Sequence, residues 1–179
     1  IGRSEGADVD FAIIDSKDSL CVYTTRPDTL FGVTFMVLAP EHPLVDALIT
    51  NPPDGCDGKA LEVYAMEAKN RAEVDRMADA KGKSGVFSGL YATNPATGKA
   101  IPIWVADYVL MGYGHGAIMA VPAHDARDHS FAEAHDIPIV EVVQPNKNED
   151  VNRCFSGSGI AINSSSDCLS IDGLPTVEA

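Results

Sequence analysis

Two stretches of the sequence concentrate groups able to handle a polar ligand. Thr24-Thr25-Arg26-Pro27-Asp28-Thr29-Leu30-Phe31-Gly32 packs three hydroxyls, a guanidinium and a carboxylate into a turn after an apolar run. Hydroxyls both donate and accept, and backbone amides freed at a strand end donate, so such a turn can cradle a carbonyl or a sugar hydroxyl. The same residues also suit an ordinary turn, with Thr24 and Thr25 as strand formers and Asp28-Thr29 closing the bend. The second stretch runs from Gly112 through Tyr113, Gly114, His115 and Gly116 to Val121, then Pro122-Ala123-His124-Asp125-Ala126-Arg127-Asp128. Its three alternating glycines let a ligand approach the backbone closely. They match neither GxGxxG nor a lysine-bearing phosphate loop.

His124, Asp125 and Asp128 are possible metal ligands, but no third-ligand spacing of the HExxH kind accompanies them, and no metal is expected there. With Asp125 as a helix N-cap, its carboxylate can accept the amide of Asp128. Asp128 then lies in the first helical turn, where the helix dipole favours negative charge. The expectation is a carboxylate ionised at neutral pH, suited to holding an ammonium group rather than to acting as a general acid. A plain helix-start acid would look the same in sequence.

The elements that must carry these groups are short. Phe11 to Asp15 and Leu20 to Thr25 read as strands around Ser16-Lys17-Asp18-Ser19. Pro27 stops the second of them. Val33 to Ala39 reads as a buried strand, and Pro43 to Ile49 as a helix with His42 near its start. Ala60 to Lys81 reads as a longer helix, with Leu61, Tyr64, Ala65, Ala68 and Ala72 on one face and Glu67 four residues before Arg71. Strands are expected at Val86–Ala92, Ala100–Leu110, Gly116–Val121 and Ile139–Val143, a helix at Asp125–His135, and a mobile surface loop from Pro145 to Gly159. Short strands interspersed with helices point to an α/β fold, a β-barrel core with peripheral helices or a closed sheet with helices outside it.

Composition narrows the possible functions. The 179 residues suit a single domain, 1–179, with a sizeable core. With 26 acids against 13 bases the net charge is -13, which argues against gripping duplex nucleic acid through its phosphates. Contact with a single-stranded end through shape and stacking stays open, as does an acidic surface that serves solubility alone. No run approaches the ~18 apolar residues of a membrane helix, and the N-terminus carries charges where a signal peptide would be apolar. Cys21, Cys56, Cys154 and Cys168 fit no zinc pattern and read as free thiols, although a bridge between Cys154 and Cys168 is compatible with the sequence.

Taken together, Thr24 to Gly32 and Gly116 to Asp128 resemble the editing domain of leucyl-tRNA synthetase, in its bacterial or organellar style. Ile1-Gly2-Arg3-Ser4-Glu5-Gly6 is similar to the entry into that inserted domain. Neither synthetic-site signature, HIGH-like or KMSKS-like, is present. The resemblance therefore implies an editing insert without the aminoacylation core.

The family hydrolyses the ester of mischarged tRNA. The resemblance implies catalytic roles for Thr24, Thr25, Arg26, Thr29 and Asp128. In that scheme Thr29 limits side-chain size so that leucine is rejected, and Asp128 holds the substrate's α-amino group. Leu110, Met111, Tyr113, Met119 and Val121 would line the pocket for the amino acid and the terminal adenosine, with His124 and Asp125 beside them. The implied partners are the 3′-terminal adenosine of mischarged leucine tRNA and the rest of the synthetase in cis. No cofactor or membrane is implied, a monomer is expected, and the setting is the cytoplasm or an organellar matrix. His115 departs from the family pattern, which more often has threonine there, so no hydroxyl role carries over. Competing readings are a binding module for an adenosine or aminoacyl ligand without turnover, and an insert that has lost activity.

Overall fold

Strict in–out alternation along the first strands decides the architecture. The computed structural model describes residues 5–71, 84–112, 114–145 and 154–176. β1 (Ala7–Ile13) and β2 (Ser19–Thr24) form an antiparallel hairpin in which Phe11, Ile13, Leu20 and Val22 turn inward. β3 (Phe35–Leu38) is buried on both faces. β4 (Val86–Thr93), β5 (Ala100–Val105) and β6 (Ala117–Ala120) complete a sheet of order β2-β1-β4-β5-β3-β6. The edge strands β2 and β6 approach one another, which curls the sheet into a nearly closed barrel. All pairs are antiparallel except β3–β5, so β2 and β6 run in the same direction across the remaining seam.

Curvature comes from a bulge between Phe87 and Tyr91. Gly89 there has φ +78, and the Ser88 hydroxyl donates to the Ile103 carbonyl at 2.6 Å. The barrel interior holds Phe11, Val22, Met36, Leu38, Ile103, Val105 and Met119. The outer face of β3 sends Phe35 and Val37 against α3 (Ala126–Ala134), where Phe35 stacks on Phe131 with centroids 5.3 Å apart. α1 (Pro43–Thr50) begins on His42, whose Nδ1 accepts the Leu44 amide at 3.2 Å. α2 (Gly58–Asn70) packs Leu61 and Ala65 against the barrel core and also buries Ala68. β7 (Val143–Pro145) pairs with β8 (Gly159–Ala161) in a separate ribbon.

Several sequence expectations need correction. The long helix does not pass Asn70: Arg71 turns extended, and its guanidinium meets Asp107 at 2.8 Å instead of Glu67 on a shared helix face. Residues 72–83, with Ala72 and the remainder of that expected helix, lie outside the described residues. The strand from Ala100 ends at Val105 rather than Leu110, because the Asp107 amide turns away to the Tyr64 hydroxyl, 3.0 Å distant. Residues 139–142 are not a strand, and the Val142 amide is spent on the His124 ring. Most of the expected Pro145–Gly159 loop, residues 146–153, also lies outside the described residues; its ends close the β7–β8 ribbon. All four cysteines are unbridged. Among the described residues no helix is long and apolar enough to cross a membrane.

Candidate active site

β2 ends at Thr24, and the chain then tightens into a 3-10 turn over Pro27–Gly32. Pro27 suits the first helical position, where no amide donor is needed. The turn is closed by its own side chains. The Thr24 hydroxyl accepts the Arg26 amide at 3.0 Å, and the Thr29 hydroxyl donates to the Arg26 carbonyl at 2.8 Å. Arg26 forks onto Asp28, Nε to Oδ1 at 2.9 Å and Nη2 to Oδ2 at 2.8 Å, and its Nη1 donates to the Ser156 carbonyl at 3.3 Å. Thr29 and Asp28 are buried, Arg26 is partly exposed and Thr25 is exposed. From below, the Asn94 amide nitrogen donates to the Leu30 and Val33 carbonyls at 2.9 and 3.2 Å, locking the turn onto the barrel.

The second stretch enters from β6. Met119 faces Met36 across the β3–β6 pair and packs in the barrel core beside Val121. Leu110 is buried, whereas Met111 is 39% exposed and its sulfur covers Gly116, where any side chain would collide with it. Gly116 also has φ +71, a backbone conformation that favours glycine. Tyr113 lies outside the described residues. A Cβ on Gly32 would sit 3.2 Å from Val121, so the Thr-rich turn and the end of β6 share one wall.

Asp125 caps α3, its Oδ1 accepting the amides of Arg127 at 2.8 Å and Asp128 at 3.2 Å. Asp128 is 4% exposed. Its carboxylate accepts the Val121 amide at 2.9 Å and the Tyr108 hydroxyl at 3.1 Å. Two donors leave part of a buried carboxylate's capacity unused, and desolvation dominates. Burial, then the neighbouring Asp125 charge, push the Asp128 carboxyl up to about 7, against the smaller downward pull of the Val121 amide and Tyr108. This corrects the expectation of an acid fully ionised at neutral pH: the helix-dipole argument held for charge placement but omitted burial.

His124 is committed to scaffolding. Nδ1 lies 2.6 Å from the Phe155 carbonyl, while Nε2 takes the Val142 and Val143 amides at 3.0 and 3.1 Å. That pattern requires a neutral ring with its proton on Nδ1, and burial lowers its pKa. No ring nitrogen is left for a ligand. The tie draws Ala123–Asp125 and Phe155–Ser156 together, and Ser156 in turn receives Arg26.

Sequence reasoning missed Tyr108 and Asn94. Both act across long separations from unpatterned loop positions, and only the turn-prone Asn94-Pro95 pair gave any signal. A cavity of about 540 Å³ opens elsewhere, among Phe31, Thr34, Lys99 and Asn163, away from Asp128.

Comparisons with known proteins supply the family. Residues 1–179 match the family model described as leucyl-tRNA synthetase, editing domain. The chain is 49% identical over its full length to a leucine--tRNA ligase of Chlorobium limicola, covering 22% of that protein. It is 46% identical to one of Streptomyces griseus, covering 20%. Among solved structures it resembles Agrobacterium radiobacter K84 agnB2 LeuRS in a ternary complex with tRNA and LeuAMS, with TM-score 0.66, 34% identity, and coverage of 84% of this chain and 18% of that one. The chain thus spans about a fifth of the length of the relatives it matches. Barrel and matches together define the class, a β-barrel domain of the kind carried by aminoacyl-tRNA synthetases. Within that class the chain belongs to the leucyl-tRNA synthetase editing-domain family.

Proposed function

We propose that this domain proofreads leucine tRNA by hydrolysing the ester of wrongly attached amino acids, norvaline and isoleucine foremost, while sparing leucine. The observation that carries the reading is Asp128: a buried carboxylate at a capped helix start, short of donors, beside the wall shared by Val121 and the Thr-rich turn. An incoming α-ammonium would supply the missing partner, and a charge-assisted contact in a dry site is stronger than a neutral one. The need for such a site is physical. One methylene in an apolar pocket gives only about 10- to 200-fold discrimination, so errors of similar size require a second sieve, for which synthetases are a standard example.

Thr29 limits side-chain size, and Thr24, Thr25 and Arg26 shape the turn over the ester. Water is the nucleophile, placed by the turn's hydroxyl and backbone groups and by the substrate's own ribose hydroxyl. Positioning supplies most of the rate, without a covalent enzyme intermediate or a metal at the reacting carbonyl. Leu110, Met111, Met119 and Val121 bound the space for the amino acid and the terminal adenosine, with Asp125 holding the helix that presents Asp128. The domain works in cis with the remainder of a synthetase, in the cytoplasm or an organellar matrix. The test is deacylation of norvalyl- and isoleucyl-tRNA by a synthetase carrying this domain. Turnover of both with leucyl-tRNA intact is expected, and absence of turnover overturns the reading. Calorimetry with a non-hydrolysable aminoacyl-adenosine then separates a binding module from an inert insert.

A further inference from the structure

On the outer face of the β1–β2 hairpin, three chemically different donors converge from three separate stretches of chain. Asp8 comes from β1, Cys21 from β2, and His115 from the glycine turn before β6. One ligand atom of each lies within 4.8 Å of the other two, with His115 Nε2 3.4 Å from Asp8 Oδ1. Asp10 stands directly opposite Cys21 in the hairpin register, adding a fourth donor, an oxygen, to the same face.

The turn is shaped to deliver the imidazole. Gly114 and Gly116 on either side of His115 have φ +57 and +71, and a Cβ on Gly114 would rest 3.7 Å from the Tyr23 Cβ on β2. The geometry points to a binding site for a zinc-class divalent ion formed by Asp8, Cys21 and His115, with Asp10 or water completing four-coordination.

The donor set selects the metal class. A thiolate and an imidazole favour zinc and its neighbours over magnesium or calcium, which prefer all-oxygen sites. Bonds of about 2.0 Å to nitrogen and oxygen and 2.3 Å to sulfur place tetrahedral ligands roughly 3.3–3.8 Å apart. The observed spacing therefore needs about 1 Å of contraction, within reach of side chains that are exposed or half-buried on a surface hairpin. A bound ion would fasten the Gly112–Gly116 turn, next to Met111, to the β1–β2 hairpin. The site is independent of the hydrolytic reading and distinct from His124, Asp125 and Asp128, where no metal is expected.

The test uses the full 179-residue chain, stripped with a chelator and titrated with Zn²⁺ by calorimetry and with Co²⁺ by absorption. One equivalent is expected, with a thiolate-to-cobalt charge-transfer band in the near ultraviolet. His115→Thr, Cys21→Ser and Asp8→Asn should each weaken binding by at least roughly tenfold, the lower end of what loss of outer-sphere partners alone causes. Cys168→Ser, at an exposed thiol outside the cluster, should change nothing. No saturable binding overturns the proposal, leaving a surface His–Asp pair beside an ordinary thiol. Binding without the charge-transfer band, or binding indifferent to both His115→Thr and Cys21→Ser, overturns it equally, because the ion then sits elsewhere.

Discussion

The Thr-rich turn and the start of α3 lie against one wall and solve opposite problems. The turn is complete without a ligand. Arg26 is spent on Asp28, the Thr24 and Thr29 hydroxyls close backbone groups, and Asn94 fastens the whole to the barrel. Asp128 is incomplete. It is as buried as Thr29, yet it has two donors for a full charge, and its carboxyl is pushed up to about 7. A finished surface can exclude by shape. An unfinished charge can capture, because an arriving cation relieves a cost already present in the fold. On the proposed function, selectivity falls to the turn and capture to the helix start, and each half can be broken separately.

The largest expected effect is at the unfinished end. Asp128→Ala removes a charge-assisted contact worth roughly 1.5–3 kcal/mol, so deacylation of every aminoacyl ester should fall by about 10- to 100-fold or more. The carboxyl's raised pKa makes it a burden to the fold above neutrality. The folded state holds the proton more tightly than the unfolded chain does, so Asp128 costs stability increasingly as pH rises from about 4 to about 7. Asp128→Asn should therefore melt no lower than the native chain at pH 8 while still losing activity. If activity is lost only because the melting temperature falls, the residue is a structural cap and the capture half of the comparison fails.

At the finished end, Thr29→Ala should change selectivity rather than rate. Removing the methyl and hydroxyl opens room of about one methylene, a difference worth roughly 10- to 200-fold. Leucyl-tRNA should then be deacylated, while norvalyl- and isoleucyl-tRNA remain substrates. Leucyl-tRNA that stays intact would show that shape exclusion resides elsewhere.

Titration sharpens the contrast next. An Asp128–ammonium pair is complete only when the carboxyl has lost its proton and the amine has kept its own. The window lies between about 7 for Asp128 and roughly 7.7–8.0 for an α-amino group. The kcat/KM for deacylation, corrected for spontaneous ester hydrolysis, should be bell-shaped, with an acid limb falling about tenfold per pH unit below neutrality. Asp128→Asn should abolish that limb. Its survival in the variant would assign the titration to another group.

How much of this was legible beforehand follows from the range of each interaction. The buried β3, the β1–β2 hairpin and the Asp125 cap were readable because alternation and capping are local grammars. The barrel was readable from short strands interspersed with helices, and the family from two motifs that keep their wording. The truncated strand at Val105, the helix end at Asn70 and the missing strand over 139–142 were not readable. Each involves a distant side chain: Tyr64, Asp107 and His124 respectively. In the site, Asp128's position was legible and its protonation was not, because burial is a property of the whole fold. His124 looked like a ligand on composition, whereas its ring serves three backbone groups.

The smallest predicted effect tests whether the unfinished state of Asp128 is tuned. Tyr108 donates its hydroxyl to Asp128, and burial followed by the adjacent carboxylate raises its own pKa well above the usual value, so it remains a donor throughout the working range. Tyr108→Phe keeps the ring and its packing beside Phe131 but removes one of the two donors. The ionised carboxylate loses roughly 0.5–1.5 kcal/mol of support, so the acid limb should move to higher pH by up to about one unit and activity at neutral pH should fall by about two- to tenfold. Activity at the top of the bell should change less, because there the substrate's ammonium takes over the role of the lost donor. A uniform loss at every pH would mean that Tyr108 shapes the pocket rather than the charge. An unmoved limb with full activity would mean that the Val121 amide alone sets the state of Asp128, and that the helix start is less finely poised against the turn than its hydrogen bonds suggest.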